Sequence, residues 1–214
     1  MPVLQELVLH TCRLTRLPPG LAFHARALKI LTLHQVHGLV SLENLPSVVE
    51  LDVSCCHELK RIANLPSLHR LVISCSPEMQ ALDGVPELRR LLLRNGRGSL
   101  AVLPDYLVGL NLAYLTVSCG LGLLCSMALG NNTPEWNKVC HIPRVEAFDE
   151  NEKFRVWYTR DPRHLDTNIS PLLFDIPRCV LPFLLTFSIL VPVPFLAPSI
   201  YILFRLILMQ QMPK

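Results

Sequence analysis

The sequence lacks the marks of an enzyme. It holds no Gly-x-Ser-x-Gly, no His-Glu-x-x-His and no Cys/His arrangement outside the register of its internal repeat. The activated nucleophiles and metal-bound waters that such patterns build are therefore not expected. No Gly-x-x-x-x-Gly-Lys-[Ser/Thr] loop occurs, so neither ADP nor ATP is an expected ligand, and no cofactor is expected. Net charge is only +3, and Lys and Arg are scattered instead of gathered in one stripe, which argues against a nucleic-acid partner. No secretory signal is visible: Met1-Pro2-Val3 runs straight into the first repeat, without a basic flank or an apolar run of its own. A cytoplasmic location is the expectation that follows.

What the chain does have is one phrase, Leu-x-x-Leu-x-Leu, that returns six times. It begins as Leu4/Leu7/Leu9 and recurs at Leu28/Leu31/Leu33, Val48/Leu51/Val53, Leu68/Leu71/Ile73, Leu88/Leu91/Leu93 and Leu112/Leu115/Val117. The start-to-start spacings are 24, 20, 20, 20 and 24 residues. A fixed period of that length with this consensus predicts an α/β solenoid, a leucine-rich-repeat horseshoe with parallel strands on its concave face and an irregular convex side. Within each unit the last two apolar residues alternate with others, the period of a short strand. Leu7 and Leu9 are expected inside, with Glu6, Val8 and His10 outside. Apolar pairs on the return bring the chain back to the core at Leu42/Leu45, Ile62/Leu65 and Leu82/Val85, each followed by a proline that ends the segment. One coil cannot bury its open faces alone, so stacking must stabilise the array. The first coil has no polar cap before it, as expected of a piece of a longer chain.

Eight cysteines suggest a disulfide set until they are placed on the repeat. Cys55, Cys75 and Cys119 share one repeat position, and Cys12 and Cys56 share the next. Thiols that recur at one position after a strand are expected to turn inward as small buried hydrophobes. That reading suits a reducing compartment better than zinc or disulfides.

Three regions follow: a solenoid of six repeats over residues 1–130, a capping segment over 131–178 and a hydrophobic tail over 179–214. The apolar stretch 119–130 reads as the buried return of the last coil. In the capping segment, Val145 to Phe148 and Phe154 to Trp157 flank a polar turn and predict paired strands. Residues 179–204 carry no charge and are long enough to cross a bilayer as a helix, yet Pro182, Pro192, Pro194 and Pro198 interrupt them. A membrane-spanning segment and a non-native tail from an altered gene end are the two readings of this stretch.

Units such as Leu51-Asp-Val-Ser-Cys-Cys-His-Glu-Leu59 and Leu65-Pro-Ser-Leu68-His-Arg-Leu71 resemble those of plant nucleotide-binding leucine-rich-repeat disease-resistance proteins. So does the series Glu135-Trp136-Asn-Lys138, His141-Ile142-Pro143, Trp157-Tyr158-Thr159-Arg160-Asp161-Pro162 and Thr167-Asn168-Ile169-Ser170, which is similar to the C-terminal end of grass members of that family. The resemblance covers about residues 1–170. It implies a repeat domain that senses pathogen-derived or host proteins in plant defence. The family's nucleotide-binding module is absent, and residues 179–214 fall outside the resemblance.

The outward strand positions are the candidate partner-binding site: Glu6, His10, His34, Glu50, Asp52, Arg70, Arg90, Arg94 and Tyr114 carry its polar chemistry. Acidic residues fall in the first half and arginines in the second, a gradient that would set specificity and association rate for a protein of complementary charge. Against it stands the reading of an ordinary solvated sheet face. His10 and His34 share a column but lack a third ligand, so no metal site is expected there. Three functions fit these residues: a protein-interaction module, a membrane-tethered repeat protein, and a non-functional product of a truncated resistance gene.

Overall fold

The computed structural model describes residues 4–17, 27–94, 100–130 and 133–169. They belong to one compact unit that runs through Ile169. The uncharged stretch at 179–204 lies outside the described residues. Among those residues, no helix is long and apolar enough to cross a membrane.

The described chain is mostly β, a parallel β-solenoid of about five turns. Six parallel strands carry the repeats: β1 (Glu6–Arg13), β2 (Ile30–His37), β4 (Glu50–Ser54), β6 (Arg70–Ser74), β8 (Arg90–Arg94) and β9 (Tyr114–Ser118). Their register follows the repeat residue for residue, so that Leu31, Leu51, Leu71, Leu91 and Leu115 stand opposite one another. These leucines and their partners two residues on are buried at 5% exposure or less, from Leu31 to Val117. Alternation along each strand is what sends them inward and their neighbours outward. In β1, at the edge of the sheet, Leu7 and Leu9 are only half-buried.

The opposite wall differs from the irregular return expected. Three short strands, β3 (Ser41–Glu43), β5 (Arg61–Ala63) and β7 (Ala81–Asp83), form a second parallel sheet. Leu42, Ile62 and Leu82 stack across it into the core. Each of these coils then closes through a β-turn with proline at its second place: Val48 N–H donates to Leu45 O at 3.4 Å, Leu68 to Leu65 at 3.1 Å and Leu88 to Val85 at 3.1 Å. Proline's fixed φ suits that place.

Two rows of left-handed residues make the corners. Thr11 and Gln35, inside β1 and β2, and Cys55 and Cys75, just past β4 and β6, have φ of 47°, 53°, 56° and 51°. Asn44, Asn64 and Gly84 have φ of 62°, 57° and 62° as the chain leaves the small sheet. Asn tolerates this region better than most residues. Asn64 Nδ2 also donates to Asn44 Oδ1 at 2.6 Å, joining two coils. At Gly84 a Cβ would lie 3.0 Å from Asn64 N, so a side chain there would require its neighbour to give by a few tenths of an ångström.

The corners correct the inward reading of two cysteines. Cys55 and Cys75 are half-exposed, because the left-handed turn carries them off the core side. Burial, then the neighbouring Cys75 thiol, raises the pKa of Cys55. The residue after each corner turns inward instead, as buried Cys56 and Ser76 do. Cys119 is buried, as the repeat position predicts, and Cys12 is half-buried. The seven described cysteines all carry free thiols.

The α/β expectation is also corrected: the described residues hold just two short α-helices, α1 (Leu121–Ala128) and α2 (Pro134–Asn137). Helix α1 forms the buried return after β9, with Leu123, Leu124, Cys125 and Met127 in the core. Helix α2 starts at Thr133, whose side chain accepts from Trp136 N–H at 3.3 Å, with Pro134 in the first turn. Trp136 is buried edge-on to Tyr158, with ring centroids 4.7 Å apart.

The sheet does not stop at β9. Strand β10 (Arg144–Phe148) pairs with β9 in parallel, β11 (Arg155–Thr159) returns antiparallel as the polar turn predicts, and β12 (His164–Thr167) completes a sheet of nine strands.

Candidate interaction face

Three rows of side chains cross the outward face of the large sheet. The first runs Glu6, Ile30, Glu50, Arg70, Arg90, Tyr114, Arg144, each directly opposite the next. The second runs Val8, Thr32, Asp52, Val72, Leu92, Thr116, Glu146 and on to Trp157 and Asp166. The third begins with His10, His34, Ser54, Ser74 and Arg94. All nine candidate residues from the sequence lie in these rows. Strand spacing of about 4.8 Å puts neighbours in a row within side-chain reach.

The acidic half is largely paired within itself or at its border. Glu50 accepts from Arg70 Nη1 at 3.2 Å, and both side chains are about half exposed. Asp52 Oδ1 accepts from Ser54 Oγ at 2.7 Å. His10 and His34 stack with centroids 4.3 Å apart and planes 16° off parallel. Among the described residues no group of three or more His, Cys, Asp or Glu could hold a metal ion.

The basic half surrounds a hollow of about 530 Å³, lined by Arg70, Arg90, Tyr114 and Arg144 over Leu92 and Pro143. Half-buried Leu92 is the apolar residue that the middle of the face exposes, and Val72 beside it is buried at 9% exposure. Tyr114 donates its hydroxyl to Glu146 Oε2 at 2.6 Å. That bond, with burial second, raises the pKa of Tyr114. Glu6 lies away from this hollow at the edge strand. Arg94 borders a different one, beside Met79, Leu103 and Tyr106.

Two residues of the segment expected to cap the solenoid also stand on the face. Arg144 lines the hollow, and Trp157 stands 38% exposed in the second row, with the Arg155 guanidinium 5.9 Å from its ring centroid. The alternation of Arg144, Val145, Glu146 and Ala147 is the available signal, since it continues the inward–outward pattern of β9.

Compared with family models, with curated proteins and with solved structures, the chain matches none of them.

Proposed function

We propose that this chain is a protein-interaction module and that the outward face of its large sheet takes a partner protein. The observation that carries the reading is a continuous, in-register face with half-buried Leu92 near its middle and charged side chains around it. Interfaces that work are built this way, with desolvated apolar or aromatic anchors ringed by polar groups. The finer fold is a leucine-rich-repeat horseshoe with these strands on its concave side. The 20-residue spacing of Leu-x-x-Leu-x-Leu and the parallel register support it. The resemblance to plant disease-resistance receptors then makes the partner a pathogen effector or a host protein, and the compartment the cytoplasm. The chain acts without a nucleotide switch and without catalysis.

Immobilised full chain, incubated with extract from plant cells, tests this. Wild type should retain a partner that Leu92→Glu and the triple change Arg70→Glu/Arg90→Glu/Arg94→Glu both lose. Retention unchanged by both variants rejects the face. The uncharged stretch at 179–204 favours a second reading, a membrane-tethered form of the same module. Alkaline carbonate extraction separates the two: a tethered chain stays in the membrane pellet, and an untethered one is released.

A further inference from the structure

We propose that the hollow between Arg70, Arg90 and Arg144 seats an acidic segment of the partner protein, one bearing two or more Asp or Glu side chains. The inference rests on the reading of the outward face given above and adds the chemistry of the partner to it. Arg70 and Arg90 stand directly opposite each other on β6 and β8. Like charges so placed repel. Arg144 follows in the same row, one strand beyond Tyr114. Three guanidinium groups thus border one hollow.

The countercharge is short. Glu50 answers Arg70 at 3.2 Å, and Glu146 is engaged by the Tyr114 hydroxyl at 2.6 Å. Among the described residues Arg90 and Arg144 make no salt bridge. A face shaped for stability alone would alternate sign along the row, as it does at Glu50 and Arg70. The surplus charge is a cost in the free protein that an anionic ligand removes. Guanidinium forks match carboxylates in paired hydrogen bonds. Leu92 and Pro143 supply apolar surface for the aliphatic stems of Glu side chains. The hollow opens onto the sheet instead of closing over a ligand, which suits a peptide laid across the strands better than an enclosed small anion.

The test is a fluorescence-anisotropy titration of the full chain with labelled hexaglutamate at low salt, with hexaglutamine as the neutral control. Hexaglutamate should bind and hexaglutamine should not. Arg90→Gln/Arg144→Gln should weaken hexaglutamate by at least ~10-fold and flatten its salt dependence, with the thermal midpoint of the free protein not lowered and, as repulsion is relieved, raised slightly. Equal affinity in the double variant, equal binding of both peptides, or no binding of hexaglutamate by wild type overturns the inference. So does displacement by inorganic phosphate where chloride of matched ionic strength fails, because the site would then be one for phosphate. Partner capture by the face is scored separately through Leu92→Glu. A face that still captures its partner while hexaglutamate fails to bind removes this inference alone.

Discussion

The coils between β2 and β8 and the segment from 100 to 169 solve the same problem in opposite ways. In the regular coils each backbone group finds its partner in the next coil: Cys55 N–H donates to Ser74 O at 2.8 Å, and Asn64 N–H to Asp83 O at 3.0 Å. Beyond β8 the period breaks, and side chains take over. Leu103 N–H donates to Glu135 Oε2 at 2.7 Å, and its carbonyl accepts from Lys138 Nζ at 2.7 Å. Tyr158 donates to Cys140 O at 3.1 Å, Arg160 to His141 O at 2.9 Å and Asn168 to Lys153 O at 2.7 Å. A repeat carries its hydrogen-bond partners in its own copy; an irregular segment needs dedicated polar residues, because buried backbone groups must be paired. The Glu135-x-x-Lys138 spacing thus has a structural role, since the two side chains stand in for the missing neighbouring strand.

Both tryptophans lie past β9, so fluorescence reports the irregular segment while far-UV circular dichroism reports mainly the coils. The largest effect is expected from Leu71→Ala, which empties a site at 0% exposure in the middle coil. It should cost about 2–5 kcal/mol. If the two regions unfold as one, both probes will shift together in denaturant; separate midpoints would show that each region stands by itself.

Next is Lys138→Met, which removes the donor to Leu103 O and takes the ion-pair partner from Glu135, 14% exposed, leaving it the Leu103 N–H. A cost of about 1–3 kcal/mol is expected, seen first in fluorescence. The other partner, Asp105, lies 2.8 Å from Lys138 Nζ and is itself 94% exposed, so water screens that pair more than the one with Glu135. An equal, simultaneous loss in both probes would erase the distinction between the regions.

Gly84→Ala sharpens the view of the coils. The new Cβ meets Asn64 N at 3.0 Å and φ is +62°, so about 1–2 kcal/mol should be lost. Gly84→Asn should also destabilise, even though Asn tolerates the left-handed region, since the contact is with Cβ. A stability equal to wild type in both variants would mean the corner row bends freely.

The smallest effect is with pH. Burial pushes the Cys119 thiol up to about 12 from 9.0. Burial acts against the Lys138 ammonium, but Asp105 and Glu135 outweigh it and raise its pKa above 10.5. Both groups hold their protons more tightly folded than unfolded. Their contribution is therefore complete below the unfolded values and is lost as pH rises through the folded ones. Stability should fall by on the order of 1 kcal/mol between pH ~8 and ~10, mainly through Cys119. Denaturation midpoints across that range check it, and Cys119→Ala should flatten the slope.

The large sheet was legible because a 20-residue period fixes register as well as strand position; every outward residue from Glu6 to Tyr114 falls in its expected row. The small sheet was not. Each of its strands carries three residues with one central apolar side chain, too few for alternation to register. Cys55 misled because alternation from buried Val53 points it inward, whereas its left-handed φ of 56° shifts the phase by one residue and turns Cys56 inward instead. Helix α1 is apolar on all sides and has no stripe to betray its period. Arg144 and Trp157 were missed at the face because they lie beyond the last Leu-x-x-Leu-x-Leu.

The paired corner rows bear on where this chain could change its length. Asn44, Asn64 and Gly84 must meet their counterparts level by level, so one added residue between Leu42 and Leu88 would put a coil out of step on both sides. It would also swing every inward side chain of that coil into water. The units that do exceed 20 residues are the first and the fifth, each 24 long, and among the described residues neither adds a strand to the small sheet. The middle coils, paired on both walls, are thus locked to a common gauge of 20 residues.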